Sequence, residues 1–290
     1  MPADRPSVSL IVPSYQRLPA LKDTMPFDLA VEGVDEIVVV DDGSTDGTQE
    51  WLATIDDPRL RVVRTSGRLG PPGARNVGVE HASGDWVMFG EDDCRLPPDM
   101  VTKLLAAARR HDAQIVSAPW LFTDGRPIEE ALAEARRDTV EHIELDQVTR
   151  FPARDLETPF LCALALIRRD VFDRVRYDPG YGGNAYREET DFFVSAVRAG
   201  FRSILTPDTY AYQLQRWPGG VHVPRARYEL SSVRNTKRFL DRHGDWLHEH
   251  GLAGPPKATQ RRFARERVRY LLGYWSHHGK LRVARALRLR

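Results

Sequence analysis

Cysteine is scarce in this 290-residue chain: Cys94 and Cys162 are the only two, and they stand in unrelated contexts. Two such thiols build neither a disulfide framework nor a cysteine-based zinc centre, and their scarcity suits a reducing cytosol. Long apolar runs are missing too. No stretch approaches the roughly 18 consecutive apolar residues of a membrane span, and Met1-Pro2-Ala3-Asp4-Arg5-Pro6 lacks the basic-then-apolar order of a secretory leader. The expectation is a cytoplasmic protein for which only peripheral contact, at the inner face of a membrane, is open. No G-x-G-x-x-G follows the first apolar run, which argues against a nicotinamide-dependent oxidoreductase. Pro13-Ser14-Tyr15-Gln16-Arg17 is not the glycine-rich, lysine-bearing loop of a sugar-1-phosphate nucleotidyltransferase either.

Net charge is nearly absent, with 42 Lys and Arg against 41 Asp and Glu, or +1. The balance conceals an asymmetry. Residues 255–290 hold eleven Lys and Arg against Glu266 alone, a local net of +10, which leaves residues 1–254 near −9. An acidic body with no base-reading motif argues against nucleic acid as a partner. The basic tail, with Phe263, Leu271, Leu272 and Trp275 among its arginines, fits either an anionic membrane face or a helix packed on protein with its arginines in water.

Hydrophobic residues make up 41% of the chain, enough for a sizeable core. Val8-Ser9-Leu10-Ile11-Val12 and Glu36-Ile37-Val38-Val39-Val40 are compact apolar runs that stop at turn residues, the pattern of buried parallel strands. Further strands are expected at 60–63, 85–89, 114–117, 161–167 and 202–205. Helices are expected at 18–31 with a break at Pro26, and at 46–54, 72–81, 98–110, 188–199, 224–242 and 258–275. Strand and helix alternate through the first half, which predicts a doubly wound sheet with ligand loops at the carboxyl ends of its strands.

Three acidic segments fall at such ends. Asp41-Asp42 follows Val38-Val39-Val40; it can accept hydrogen bonds from a base or ribose, or simply build the turn. Glu91-Asp92-Asp93 follows Val87-Met88-Phe89. Three adjacent acids repel one another, and a hard divalent cation relieves that repulsion through oxygen ligands; a solvated acidic turn is the plain alternative. Glu188-Glu189-Thr190-Asp191 opens a helix after the glycine-rich stretch 180–184. Acids there suit the helix dipole, or present a general base beside a mobile loop.

Taken in order, these motifs are distinctive. Ile11-Val12-Pro13-Ser14-Tyr15, Val39-Val40-Asp41-Asp42-Gly43-Ser44-Thr45-Asp46, Ala74-Arg75-Asn76-Val77-Gly78, Ala82-Ser83-Gly84-Asp85, Phe89-Gly90-Glu91-Asp92-Asp93 and Glu188-Glu189-Thr190-Asp191 follow one another over about residues 7–213. The chain resembles the family 2 glycosyltransferases. That resemblance implies an α/β fold of GT-A type, a doubly wound, mostly parallel sheet over residues 1–215; the helical pattern and charge of the remainder are read as a basic helical extension over 216–290. The resemblance also implies an inverting transfer of a sugar from a nucleotide diphosphate donor, UDP-linked by default, to a hydroxyl of a carbohydrate, lipid-linked or small-molecule acceptor. By the same resemblance, Pro13, Tyr15, Asp41, Arg75 and Asp92 serve the nucleotide. Asp93 and Glu91 hold Mn²⁺ or Mg²⁺, with Glu91 standing where the family's motif begins with Asp. Glu189 is the base, with Glu188 and Asp191 as supporting acids. The family's metal-binding histidine is replaced by Gln213, and His222 is the substitute candidate. The loop 180–186, Trp120 and Trp217 are candidates for the acceptor side, each aromatic being equally able to sit in the core. A non-catalytic sugar-nucleotide-binding protein is the competing reading.

Overall fold

The computed structural model describes residues 5–145, 149–213 and 224–288, with backbone alone for 274–288. Its centre is strand β1 (Val8–Ser14), whose Val8, Leu10, Ile11 and Val12 are wholly buried. Strand β2 (Glu36–Asp41) lies parallel on one side of it, followed outward by β3 (Leu60–Arg64). Strand β4 (Trp86–Phe89) lies parallel on the other side. The chain therefore winds outward both ways from β1, and the switch point falls at the carboxyl ends of β1 and β4, the place where open α/β sheets bind ligands.

Beyond β4 the sheet turns mixed. Strand β8 (Ala165–Arg168) runs antiparallel between β4 and β5 (Ile115–Ser117), then come β9 (Ser203–Leu205), parallel to β5, and antiparallel β7 (Leu156–Glu157). The full order is β3-β2-β1-β4-β8-β5-β9-β7. A separate parallel pair joins β6 (Trp120–Phe122) to β10 (Ala211–Gln213).

The helices of this part are α1 (Leu18–Leu29), α2 (Thr48–Leu52), α3 (Pro71–His81), α4 (Met100–His111), α5 (Ile128–Arg137), which packs on β6 and β10, and α6 (Glu188–Arg198). The expected break at Pro26 does not occur. Pro26 sits inside α1, where the buried Leu21 and Met25 hold the helix on the core against the lost backbone hydrogen bond. Helix α2 is shorter than the expected 46–54, because Gly47 takes φ 87° ahead of it while Asp46 accepts the Thr48 hydroxyl at 2.6 Å. The expected strand at 161–167 starts only at Ala165; its first half is buried without strand pairing. A 3₁₀ turn spans Arg169–Asp173.

One close approach matters for the site. A Cβ on Gly78 would lie 2.4 Å from Ile11 Cγ2, so only glycine lets α3 rest directly on β1.

The chain forms two compact units, Met1–Gly180 with Glu188–Gly220, and Tyr181–Arg187 with Val221–Arg290. The second is built on two long helices, α7 (Arg225–Glu249) and α8 (Pro256–Arg288), both longer than the hydrophobic pattern suggests. Within it, Gln260 reaches the Val233 carbonyl at 3.2 Å and Arg267 reaches Glu229 at 3.4 Å, an antiparallel hairpin. Among the described residues, no helix is long and apolar enough to cross a membrane.

Candidate active site

The carboxyl end of β2 separates two roles that the sequence leaves undivided. Asp42 builds the turn: it accepts the backbone N–H groups of Leu69 and Gly70, both at 2.8 Å, and the Thr65 hydroxyl at 3.1 Å. Asp41 is fully buried and spends only Oδ1, on the Ser44 N–H at 2.8 Å. Its Oδ2 has no hydrogen-bond partner and faces only a loose ion pair with Arg64 at 3.5 Å. A buried acceptor without a donor is costly, and a base or ribose N–H or O–H would satisfy it. Nearby, half-buried Pro13 and Tyr15 close β1, and the Arg68 guanidinium lies 4.3 Å over the Tyr15 ring.

At the end of β4 the three acids diverge. Asp92 turns inward, taking the Ser14 hydroxyl at 2.8 Å and Arg17 at 2.9 Å. Asp93 takes the same Arg17 at 2.6 Å. Burial pushes the Asp92 carboxyl up to about 6, against the pull of Arg17. Behind it, Asp28 on α1 is wholly buried with both oxygens unpartnered, and burial holds its carboxyl well above the usual range. Arg17 and Asp28 lie outside the motifs, and Ser14, inside the first of them, is given no role there; the adjacency of β1 and β4 brings Ser14 to Asp92.

Glu91 turns the other way, to Arg75. This arginine, 2% exposed on α3, donates from Nη2 to Glu91 and from Nη1 to Glu188, and its Nη2 lies 3.5 Å from Glu189 Oε1. Its guanidinium lies over the rings of Phe89 at 5.9 Å and Tyr177 at 5.6 Å. Asn76, the next residue, grips the Tyr177 backbone on both sides, donating to its carbonyl at 2.8 Å and accepting its N–H at 3.1 Å. Burial pushes Glu91 up to about 7 and Glu188 well above the carboxylate range, with Arg75 opposing both shifts. Burial alone would weaken the charge on Arg75; Glu188, Glu91 and Glu189 reverse that and hold the guanidinium firmly charged. Glu188 Oε2 is buried without a partner. Glu189 differs from its neighbours: 35% of its side chain is exposed. Asp191 is buried further along α6.

The strands thus bring Asp41, Glu91, Asp92 and Asp93 to one edge of the sheet, and Arg75 ties Glu91 to Glu188 and Glu189. Among the described residues, no three His, Cys, Asp or Glu side chains are grouped to hold a metal ion. His222 and Trp217 lie outside the described residues. Trp120 is half-buried on β6, stacked on Phe122 at 5.2 Å.

The stretch expected to be mobile is held. Within the second unit, Asn184 donates to Ser232 Oγ at 2.7 Å and to the Tyr228 carbonyl at 3.2 Å, and Asn235 donates to the Gly182 carbonyl at 3.0 Å. Arg187 takes φ 76°, an unusual conformation for a non-glycine residue, with its guanidinium over Tyr186 at 4.8 Å and Phe263 at 5.6 Å. Glycine content signalled freedom, but α7 side chains satisfy the loop's amides.

Comparison with known proteins accords with this geometry. Residues 9–176 match the profile of the family described as Glycosyl transferase family 2. The chain is 37% identical over 111 residues to the succinoglycan biosynthesis protein ExoO of Rhizobium meliloti (strain 1021), covering 38% of this chain and 32% of that one. Across four curated relatives that it matches, the chain spans 24% to 63% of their lengths. Among solved structures, the mannosyltransferase PcManGT from Pyrobaculum calidifontis, in complex with GDP-Man and Mn²⁺, superposes with a TM-score of 0.62 at 20% identity, over 100% of this chain and 82% of that one. S. aureus TarS 1–349, in complex with UDP-GlcNAc, gives 0.56 at 18% identity, over 84% and 74%. These two likenesses concern the fold.

Proposed function

The chain belongs to glycosyl transferase family 2, and from that premise we propose that it is an inverting transferase moving a sugar from a nucleotide diphosphate to an acceptor hydroxyl. The observation that carries the reading is the contrast within one cluster: Glu188 and Arg75 are sealed while Glu189, beside them, stays half open to solvent. An acid presented this way can take the proton of an acceptor hydroxyl as its oxygen attacks the anomeric carbon from the face opposite the diphosphate. One displacement inverts that carbon. Asp41, with its spare Oδ2, receives the base or ribose, and Tyr15 and Pro13 line that pocket. Asp92, tied to Ser14 and Arg17, braces the loop between the nucleotide and its phosphates.

The donor set suits a divalent cation of the Mn²⁺ or Mg²⁺ type. Two carboxylates, Glu91 and Asp93, flank Asp92, and acids outnumber the two arginines that face them. Such cations accept one or two carboxylates and complete their shell with water and substrate phosphate, so a full protein cage is not required. When bound, the cation would offset the charge that develops on the departing diphosphate. UDP is the default nucleotide; the neighbours in fold carried UDP-GlcNAc in one case and GDP-Man in the other.

A second feature bears on the acceptor. The outer face of α8 exposes Arg261, Arg262, Arg265 and Arg269 with Val268 at 54% and Leu272 at 59%. Cations around exposed apolar side chains fit the anionic face of a membrane, where a lipid-linked acceptor would lie.

Thermal unfolding against UDP, GDP, dTDP and their sugars, with Mn²⁺ or with EDTA, tests the donor site, since a ligand bound to the native state raises the midpoint. A metal-dependent rise with one nucleotide supports the reading, and no rise with any of them removes it. Glu189→Gln then separates a catalyst from a sugar-nucleotide-binding protein: donor binding stays, and turnover is lost.

A further inference from the structure

The family resemblance places Arg75 among the residues that touch the donor. Its surroundings point elsewhere. We propose that Arg75 is a positioning residue that fixes the acid at the end of β4, Glu91, relative to the acids that open α6, Glu188 and Glu189, and that it makes no contact with the donor. The proposal rests on the transferase reading above and deepens it.

Three observations carry it. The guanidinium is 2% exposed, with Nη1 engaged by Glu188 and Nη2 shared by Glu91 and Glu189, while Nε is buried with no hydrogen-bond partner. A planar fork with two nitrogens can span two carboxylates in a set geometry, which a point charge cannot. The floor beneath it is fixed as well. Tyr177 is stacked on Phe192 at 4.2 Å and edge-on to Phe89 at 5.5 Å, and Asn76 holds its backbone.

The third observation is the seat of the helix. Gly78, one turn after Arg75, is pressed on Ile11 of β1, so α3 cannot ride up and carry Arg75 away from β4. Arg75, Asn76 and Gly78 thus form one device in which Gly78 seats the helix, Asn76 braces the ring, and Arg75 spans the acids. Its output is the position of Glu189, whose Oε1 lies 3.5 Å from the guanidinium while its side chain stays half open. A proton acceptor displaced by about 1 Å loses on the order of a hundredfold in rate.

The experiment separates donor binding from turnover. Binding of UDP, or of GDP where the wild type prefers it, is measured by calorimetry in EDTA, and donor hydrolysis is measured with Mn²⁺. Arg75→Lys keeps the charge and removes the fork. The expected result is a fall in kcat of roughly tenfold or more, with the nucleotide Kd unchanged within about twofold. Asn76→Ala touches neither acid nor guanidinium and is expected to show the same split, more weakly; it serves where Arg75→Lys folds poorly. A Kd weakened about tenfold or more by Arg75→Lys with kcat intact makes Arg75 a donor ligand and overturns the proposal. Full kcat in both variants overturns it as well. A wild type that neither binds a nucleotide nor hydrolyses a donor sinks the transferase reading instead, before any variant is compared.

Discussion

Each unit of this chain encloses a buried charge cluster, and the two are unbalanced in opposite senses. In the first, one arginine faces three carboxylates, Arg75 against Glu91, Glu188 and Glu189. In the second, one carboxylate faces two arginines: Glu229 is paired with Arg225 at 2.8 Å and Arg267 at 3.4 Å. In the second cluster the surplus cations lie against aromatic rings, although Glu229 Oε1 and Arg225 Nε have no hydrogen-bond partner. Arg225 lies over the rings of Tyr270 at 4.5 Å and Tyr228 at 5.2 Å, and Arg267 over Phe263 at 4.6 Å and Tyr186 at 5.3 Å. The negative face of an aromatic ring stabilises a surplus cation. The same ring face repels a surplus carboxylate. In the first unit the rings of Phe89 and Tyr177 serve the arginine, and the excess acid is left to hold protons, with Glu91 pushed up to about 7 and Glu188 well above its usual range. Surplus cations are absorbed by the fold; surplus acids wait for something that binds.

The comparison can be broken most sharply at Glu189. Replacement by Gln is expected to lower turnover by about 10²–10⁴-fold, the usual worth of a general base, while nucleotide binding measured by calorimetry is retained; equal loss of both would place Glu189 in the donor pocket.

Next comes stability. Arg75→Met leaves three buried or half-buried acids without their cation and is expected to cost about 3–5 kcal/mol in urea unfolding. Glu229→Leu strands two arginines that keep their aromatic partners, so its cost is expected to be smaller, about 1–3 kcal/mol. If the two costs are equal, the rings of the second unit do not compensate as argued.

A third test uses pH. In the folded state burial keeps the Glu91 proton up to about 7, whereas in the unfolded chain it leaves near 4.5. Between those values the folded state binds more protons, so this group's contribution to stability falls as pH rises through the window and is flat above it. Urea midpoints of wild type and Glu91→Gln between pH 5 and pH 8, about 0.5 pH unit apart, should diverge only inside that window. The smallest effect is expected at Asp42, where Asn keeps an acceptor for only part of the set formed by Thr65, Leu69 and Gly70. Asp42→Asn should cost about 1 kcal/mol, read by the same unfolding, and should leave turnover nearly unchanged.

What could be seen in the sequence follows from where each signal resides. Strands β1, β2 and β4 were visible because their residues are buried on both faces and each holds a compact apolar run, Leu10-Ile11-Val12, Ile37-Val38-Val39-Val40 and Val87-Met88-Phe89. Helix α5 was overlooked although Ile128, Ala131, Leu132 and Ala135 recur at helical spacing and pack with Leu121, Phe151 and Tyr212; the stripe is short, two of its four residues are alanine, and only Ala131 of it is buried. The pair β6 and β10 escaped for another reason: each has three residues, and their partners lie about 90 positions apart. At the site, the acids themselves were legible because each cluster ends a strand or opens a helix. Their division of labour was not. That Asp42 ties down the 65–70 loop while Asp41 keeps a free oxygen, or that Arg17 spans Asp92 and Asp93 from 75 and 76 positions away, depends on strand order and side-chain direction. The held loop at 181–187 is the extreme case, because its partners are side chains of a helix whose own pattern says nothing about what it will receive.

That loop sets a timetable. Residues 181–187 leave the ribosome well before Asn235 and Arg267, the side chains that hold Gly182 and Tyr186. At about 5–20 residues per second, the wait for Asn235 is roughly 2–10 s and that for Arg267 roughly 4–16 s, so the stretch leading straight into Glu188 and Glu189 gains its α7 partners first and its α8 partner last. The first unit can assemble its sheet in that interval, while the approach to α6 is completed only when the last helix has been made.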